Sequence, residues 1–199
     1  MIDFLKVISD APHNKFLDLY NQADAKNQKG LEAIAISSYD PSNNEVESRF
    51  VNLKYIAGNE WIFFSNYLSP KALQFQSHDQ ISALIYWGAI NTQVRLKAKI
   101  QKTSKEFSDT HFQGRSIEKN ALAISSNQSQ PTDSFDCVKE NFYSTLSSMQ
   151  EDTQRPEYWG GYSFIPYYFE FWEGHENRLN KRQVFLKEDG SWRETLLQP

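Results

Sequence analysis

Residues 92–102 read TQVRLKAKIQK. In an extended chain successive side chains point to opposite faces. Val94, Leu96, Ala98 and Ile100 then share one face, and Gln93, Arg95, Lys97 and Lys99 the other. The stretch is predicted to be a strand with one side in a core and one in water. Upstream, ISALIYW (81–87) has the apolar run of a buried strand. Further back lie LEAIAISSYD (31–40), ESRFVNLKYI (47–56) and EWIFFSN (60–66), separated by turn signals at Asn43-Asn44 and Gly58-Asn59. Towards the C-terminus, strand runs at 182–187 and 191–197 follow WGGYSFIPYYFEFW and are joined by EDGS.

Helical signals are fewer. Phe16, Leu17 and Tyr20 give residues 12–26 a helical period. In SPKALQFQSHD (69–79) Ser69 is suited to cap a helix and Pro70 to its first position, where no N–H is needed. A short helix is expected over 104–113. Phe135, Val138, Phe142 and Leu146 predict another over 134–150. Residues 120–133 read as a polar loop ending near Pro131. Strands joined by short turns dominate, so the expected class is mainly β (α+β), an antiparallel barrel or sandwich with peripheral helices. Strand–helix alternation and a GxGxxG motif are both missing, which disfavours a doubly wound parallel sheet. With no internal repeat or low-complexity linker, residues 1–199 are expected to form a single domain.

Composition narrows the function classes. The chain has 199 residues with 14 Phe, 10 Tyr and 5 Trp, enough bulk for a real core. Its formal charge of -4 disfavours a general nucleic-acid or membrane-surface binder, so any anion site must be local. Cys137 is the single cysteine, which excludes an internal disulfide and fits a reducing compartment. The N-terminus lacks a signal-peptide layout, and no run approaches the roughly 20 apolar residues of a membrane helix. A cytoplasmic location is expected. His13, His78, His111 and His175 are scattered without ligand spacing, so no metal site is expected.

Against that acidic balance, some cations are oddly placed. FWEGHENRLNKR (171–182) crowds Arg178, Lys181 and Arg182 beside a Phe-Trp pair. It is either a solvated loop or a face for a flat, anionic, aromatic ligand. Arg49 and Lys54 are five apart, on opposite faces of an ideal strand unless a twist or bulge intervenes. Ser69 and Lys71 stand at a helix N-terminus, where free N–H groups and the dipole favour phosphate.

The series RFVNLK (49–54), FFSNYLSPKA (63–72), TQV (92–94), NQS (127–129), YWGGY (158–162) and FEFWEGHENRLNKR (169–182) closely resembles the pyridoxine/pyridoxamine 5′-phosphate oxidase family, in order and separation from about residue 12 to Pro199. The resemblance implies an antiparallel split β-barrel of the FMN-binding type, forming a homodimer with FMN at two sites between subunits. Residues 158–199 would be a C-terminal dimerisation and active-site segment. Arg49 and Lys54 would lie on the FMN-binding strand, with Lys54 also reaching substrate. Phe64 and Ser65 would line the flavin, and Ser69 and Lys71 would hold its phosphate. Gln93 would contact the flavin ring. Gln128 and Ser129 would approach from the partner subunit, and Trp172 and Arg182 would complete the site. Arg178 would orient substrate, while His111, Arg115 and Lys119 would hold the substrate phosphate. The residue types suit that chemistry: cations form charge-assisted bonds to phosphate, and amide and cationic donors stabilise a reduced flavin.

The pattern departs from the family in places. The Arg-Leu-His-x-Arg motif has Asn180 at the His position, so any catalytic role needing an imidazolium is lost. Tyr-x-x-x-Arg-x-x-x-Ser becomes His111, Arg115 and Lys119, and Ser-Arg-Lys becomes Ser69-Pro70-Lys71. Leu196 replaces a C-terminal arginine. The expected reaction is oxidation of pyridoxamine or pyridoxine 5′-phosphate to pyridoxal 5′-phosphate, with dioxygen as acceptor and hydrogen peroxide as product. One competing expectation is a flavoenzyme acting on another aromatic substrate, as in phenazine biosynthesis, favoured by Asn180, His111 and Lys119. Another is a non-catalytic flavin- or pyridoxal-phosphate-binding module, which the retained Arg178 opposes.

Overall fold

The structure, a computed structural model, describes residues 1–150 and 152–199. Its centre is the strand read first, β7 (Thr92–Lys102). Here β1 is Asp3–Leu5, β2 Ala33–Asp40, β3 Glu45–Asn52, β4 Tyr55–Ala57, β5 Glu60–Asn66, β6 Gln80–Trp87, β8 Trp159–Glu173, β9 Lys181–Glu188 and β10 Ser191–Leu197. The strand order is β1-β4-β5-β8-β7-β6-β2-β3, with β9 and β10 continuing beside β8. Among the described residues every pairing is antiparallel except β1 on β4. The sheet is thus antiparallel, as expected, apart from the three-residue edge strand β1, which makes it mixed. The ends of the order are β1 and β3; β3 leads through the corner Leu53-Lys54 into β4, next to β1, and no hydrogen-bonded ladder among the described residues joins the two ends, which leaves the barrel split.

The alternation in β7 is realised. Val94, Leu96 and Ala98 are fully buried and Ile100 nearly so. They pack into an aromatic core with Trp61, Phe63, Trp87, Phe164, Phe169 and Phe171. The β7–β8 register slips between Lys97 and Ala98, opposite Tyr168 and Pro166. Proline has no N–H for the ladder, so a bulge is the tolerated place for it.

Helix α1 (Ala11–Ala25) buries Phe16, Leu19, Tyr20 and Ala23 against this core. Asp10 caps it, accepting from the His13 backbone N–H at 3.2 Å. Helix α2 (Pro70–Ser77) starts with proline as expected. Ser69 occupies the N-cap position but makes no side-chain cap bond; its Oγ donates to the Asn66 carbonyl at 2.8 Å. Helices α3 (Lys105–Gln113), α4 (Ile117–Ser125) and α5 (Phe135–Ser148) lie between β7 and β8. α4 falls partly within the span read as loop. Its buried stripe is only Asn120, Ala121 and Ala123, too small and polar to register as an amphipathic helix.

Candidate functional site

At the β3–β4 corner an open cleft of about 960 Å³ lies between that corner, the start of α2 and the α3–α4 turn. Small-molecule sites typically span roughly 300–1,000 Å³. The corner explains how Arg49 and Lys54 can share it. Arg49 is within β3, whereas Lys54 lies past the strand end, so strand alternation no longer separates them. Phe64, Ser65 and Lys71 also line the cleft, as do His111, Arg115 and Lys119. Gln128 and Ser129 line it from the same chain. Gln128 Oε1 accepts from Ser65 Oγ at 3.3 Å and from the Asn66 backbone N–H at 3.2 Å. The partner-subunit role expected for this pair therefore has a competitor inside one protomer.

One end of the cleft is a fixed cationic cradle. Arg49 donates from Nη1 to Ser38 Oγ at 2.5 Å, and from Nη2 to Glu47 at 2.7 Å and Gln74 Oε1 at 3.2 Å. Lys71 is buried and donates to Ser69 Oγ at 3.1 Å. No carboxylate pairs with it among the described residues. Burial, followed by the positive charge of Arg49, pushes the Lys71 ammonium down to about 8. A buried ammonium without a counter-ion is costly, and a bound anion would relieve that cost.

The other end is an aromatic stack carrying a second cation. His111 lies on Phe64 with ring centroids 3.6 Å apart and planes 13° from parallel. Trp159 is stacked 5.4 Å from Phe64, and the Arg115 guanidinium sits 4.3 Å over the Trp159 ring. Arg115 Nη2 donates to the Lys119 carbonyl at 2.8 Å, while Nη1 is buried without a partner among the described residues. Burial lowers Arg115 to about 10. His111 is pushed down to about 4, first by burial and then by Arg115, Lys54 and Lys119, so its imidazole is neutral at neutral pH. Tyr55 OH lies 2.8 Å from His111 Nδ1. Tyr55 and Trp159 were not singled out from sequence, although Tyr55 adjoins Lys54 and Trp159 opens the WGG run. Those glycines have a packing reason: a Cβ at Gly160 would overlap Tyr67, and one at Gly161 would overlap Thr103.

The other expected site residues stand elsewhere in the same protomer. Gln93, Trp172 and Arg182 are direct cross-strand neighbours on β7, β8 and β9 and form one row. Tyr86 extends that row on β6. Leu84, two residues away, shares the face, and pairing through Ala35 brings Phe50 onto it. Phe50, Tyr86 and Leu84 are 75%, 57% and 37% exposed, so this face of the sheet carries uncovered apolar side chains. Beneath the row, Arg182 Nε donates to Glu170 at 2.8 Å, and Arg95 and Tyr168 bind the same buried carboxylate. Ser69 is buried below the cradle. Arg178 is exposed in the β8–β9 loop with φ 60°. Asn180 is occupied in that loop, its Oδ1 accepting from the His175 backbone N–H at 3.0 Å.

Residues 159–199 match the family described as the pyridoxine 5′-phosphate oxidase C-terminal dimerisation region. Pyridoxine/pyridoxamine 5′-phosphate oxidase 1 of Hydrogenovibrio crunogenus is 32% identical over 191 residues, covering 94% of this chain and 88% of its own. PhzG from Burkholderia lata, solved in complex with tetrahydrophenazine-1-carboxylic acid, superposes with a TM-score of 0.88 at 23% identity, covering 94% and 92% of the two chains. A pyridoxamine 5′-phosphate oxidase-related, FMN binding protein from Nostoc punctiforme gives 0.78 at 14% identity, covering 96% and 99%. Fold and cleft together define a split-barrel protein of the pyridoxamine 5′-phosphate oxidase type. The chain belongs to the pyridoxine/pyridoxamine 5′-phosphate oxidase family.

Proposed function

We propose that this protein is an FMN-dependent oxidase that converts pyridoxamine or pyridoxine 5′-phosphate to pyridoxal 5′-phosphate, with dioxygen as acceptor and hydrogen peroxide as product. The observation that carries this reading is a single cleft with two cations at opposite ends that no carboxylate pairs with among the described residues, the buried Lys71 and the half-buried Arg115, and stacked aromatic rings at one of them. Two phosphorylated, flat molecules lying together need that arrangement. The family relatives carry the name of this activity.

FMN fits the residues present. The orphaned Lys71 ammonium, beside Arg49, suits a phosphate near -2, and Ser65 and Gln128 offer polar contacts to the rest of the molecule. When bound, FMN supplies the hydride acceptor and the route to dioxygen. The protein's own task is positioning. Arg115 and Lys119 hold the substrate phosphate, and Lys54 bridges the two ends. Charge-assisted bonds at both ends fix the substrate carbon at reacting distance, without a strong acid or base.

Gln93, Trp172 and Arg182 join the site from a second copy of the chain. They form one row on an exposed face with Phe50, Leu84 and Tyr86, and Phe50 also lines the cleft. A two-fold axis through that face would bring one copy's row to the other's cleft. Arg178, exposed at φ 60°, would then reach the substrate from the partner. The whole chain acts as one domain in this arrangement, with residues 158–199 serving dimer and site together.

A second reading is a flavoenzyme with a different aromatic substrate, favoured by the departures from the family pattern at His111 and Lys119 and by Asn180 being tied into its loop. One experiment separates the two. Purified protein should be yellow, and pyridoxine 5′-phosphate added without oxygen should bleach the flavin. That bleaching should form pyridoxal 5′-phosphate, and air should then restore the colour and release peroxide in equal amount. A yellow protein bleached by neither phosphate supports the second reading, and a colourless one that gains no absorbance with FMN defeats both.

A further inference from the structure

We propose that Tyr55 is a positioning residue whose hydroxyl holds His111 as the Nε2–H tautomer, so that a neutral imidazole donates a hydrogen bond to the phosphate group bound beside Arg115. The inference rests on the reading of this end of the cleft as a phosphate site and adds who sets its donor.

Tyr55 begins β4 directly after the Leu53-Lys54 corner, and its hydroxyl meets His111 Nδ1 at 2.8 Å across 56 residues of chain. The two rings are edge to face, 5.4 Å apart at 85°. Phe107 meets Tyr55 at 5.4 Å and 81°, and Phe64 backs His111 from below. The imidazole is therefore clamped in plane and in rotation, and Nε2 is the nitrogen left for the cleft that His111 lines.

The protonation state follows from counting donors. The Tyr55 hydroxyl has a single hydrogen-bond partner among the described residues, His111 Nδ1. If Nδ1 carried the proton, the phenol's own O–H would be left without an acceptor in a half-buried place. If Nδ1 accepts, the phenol proton is used and the imidazole proton must sit on Nε2. The groups facing His111 are Lys54 from the corner, Arg115 and Lys119 from the α3–α4 segment, and Tyr55 from β4. With three cations around it the imidazole stays neutral. A neutral ring presenting an acceptor to a bound anion would repel it, whereas one presenting N–H binds it.

The test uses FMN-loaded protein labelled with ¹⁵N-histidine. Two-bond proton–nitrogen spectra of wild type should show His111 as Nε2–H, and Tyr55→Phe should mix the tautomers. Dissociation constants for inorganic phosphate and pyridoxal 5′-phosphate, read from flavin fluorescence, should weaken roughly three- to tenfold in Tyr55→Phe with FMN affinity unchanged. On a His111→Phe background the Tyr55→Phe change should have no further effect. A wild-type Nδ1–H tautomer would overturn the proposal, even if Tyr55→Phe fails to fold. So would equal weakening on both backgrounds. Failure to oxidise either pyridoxine or pyridoxamine phosphate would count against the substrate reading alone, because the tautomer and the inorganic phosphate affinity are read without turnover.

Discussion

The two ends of the cleft hold their cations by different means. Arg49 is tied to side chains from β2, β3 and α2, namely Ser38, Glu47 and Gln74, and beside it Lys71 is buried with Ser69 as its neighbour. Arg115 lies on the face of Trp159, spends one bond on the Lys119 carbonyl and leaves Nη1 buried and unbonded among the described residues. The first end is built on strands and a helix start, and its guanidinium is fixed before any ligand arrives. The second rests on two short helices joined at Gly114, with donor capacity held open. A rigid end suits a molecule that stays, and an open end suits one that turns over. That division predicts that substitutions at each end act on different ligands.

Arg115→Ala should break the open end most severely. It removes a charge-assisted bond worth about 1.5–3 kcal/mol, so KM for pyridoxine 5′-phosphate should rise roughly 10- to 100-fold. FMN affinity, measured by fluorescence quenching, should change less than about threefold. Equal losses for both ligands would erase the distinction between the ends.

Lys71→Met tests the rigid end and has two readouts of opposite sign. FMN affinity should fall roughly tenfold or more. The apo-protein should become more stable. The folded lysine titrates near 8 against an ordinary 10.5. Below pH 8 its charge is therefore carried in the folded state at a cost of up to about 3 kcal/mol, which methionine does not incur. Thermal unfolding of the apo form at pH 7 checks this, and a lower melting temperature in Lys71→Met would refute the orphaned-cation argument.

How much of this was legible beforehand differs between the ends in the same way. The rigid end is local: SPK marks its helix start, and Arg49 belongs to a strand with clear turn signals. The open end depends on long-range meetings. Tyr55 and His111 are 56 residues apart, and α4 gives no helical signal in sequence because its buried stripe is two alanines and an asparagine. Five-residue spacing set Arg49 and Lys54 on opposite faces, and only the corner at Leu53 reverses that. The row Gln93–Trp172–Arg182 reflects registers of three strands that periodicity cannot supply. β1 is three residues long and pairs in parallel, with nothing in its alternation to announce it.

The open end should also show in acid. His111 titrates near 4 in the folded state against an ordinary 6.5, so the unfolded chain takes up protons first. Stability is then full above about pH 6.5 and is lost as pH falls towards 4. His13 is lowered in the same direction by burial and adds to the slope, so the comparison must be with His111→Phe, which keeps His13. The difference between the two proteins should amount to about 1–2 kcal/mol at pH 4.5, allowing for the half-buried site. Denaturant unfolding at pH 7.5 and 4.5 measures it, and identical pH slopes would place His111 in water.

The smallest effect belongs to the rigid end and is purely electrostatic. A phosphate beside Lys71 favours the ammonium, so FMN binding raises a group that otherwise titrates near 8. Binding then takes up a proton once pH exceeds that value. FMN affinity should be flat from about pH 7 to 8 and about tenfold weaker at pH 9, since one pH unit corresponds to about 1.4 kcal/mol. In Lys71→Met the loss between pH 8 and 9 should vanish. If instead the mutant keeps the wild-type profile, the titrating group is another one, and Arg49 alone carries the phosphate.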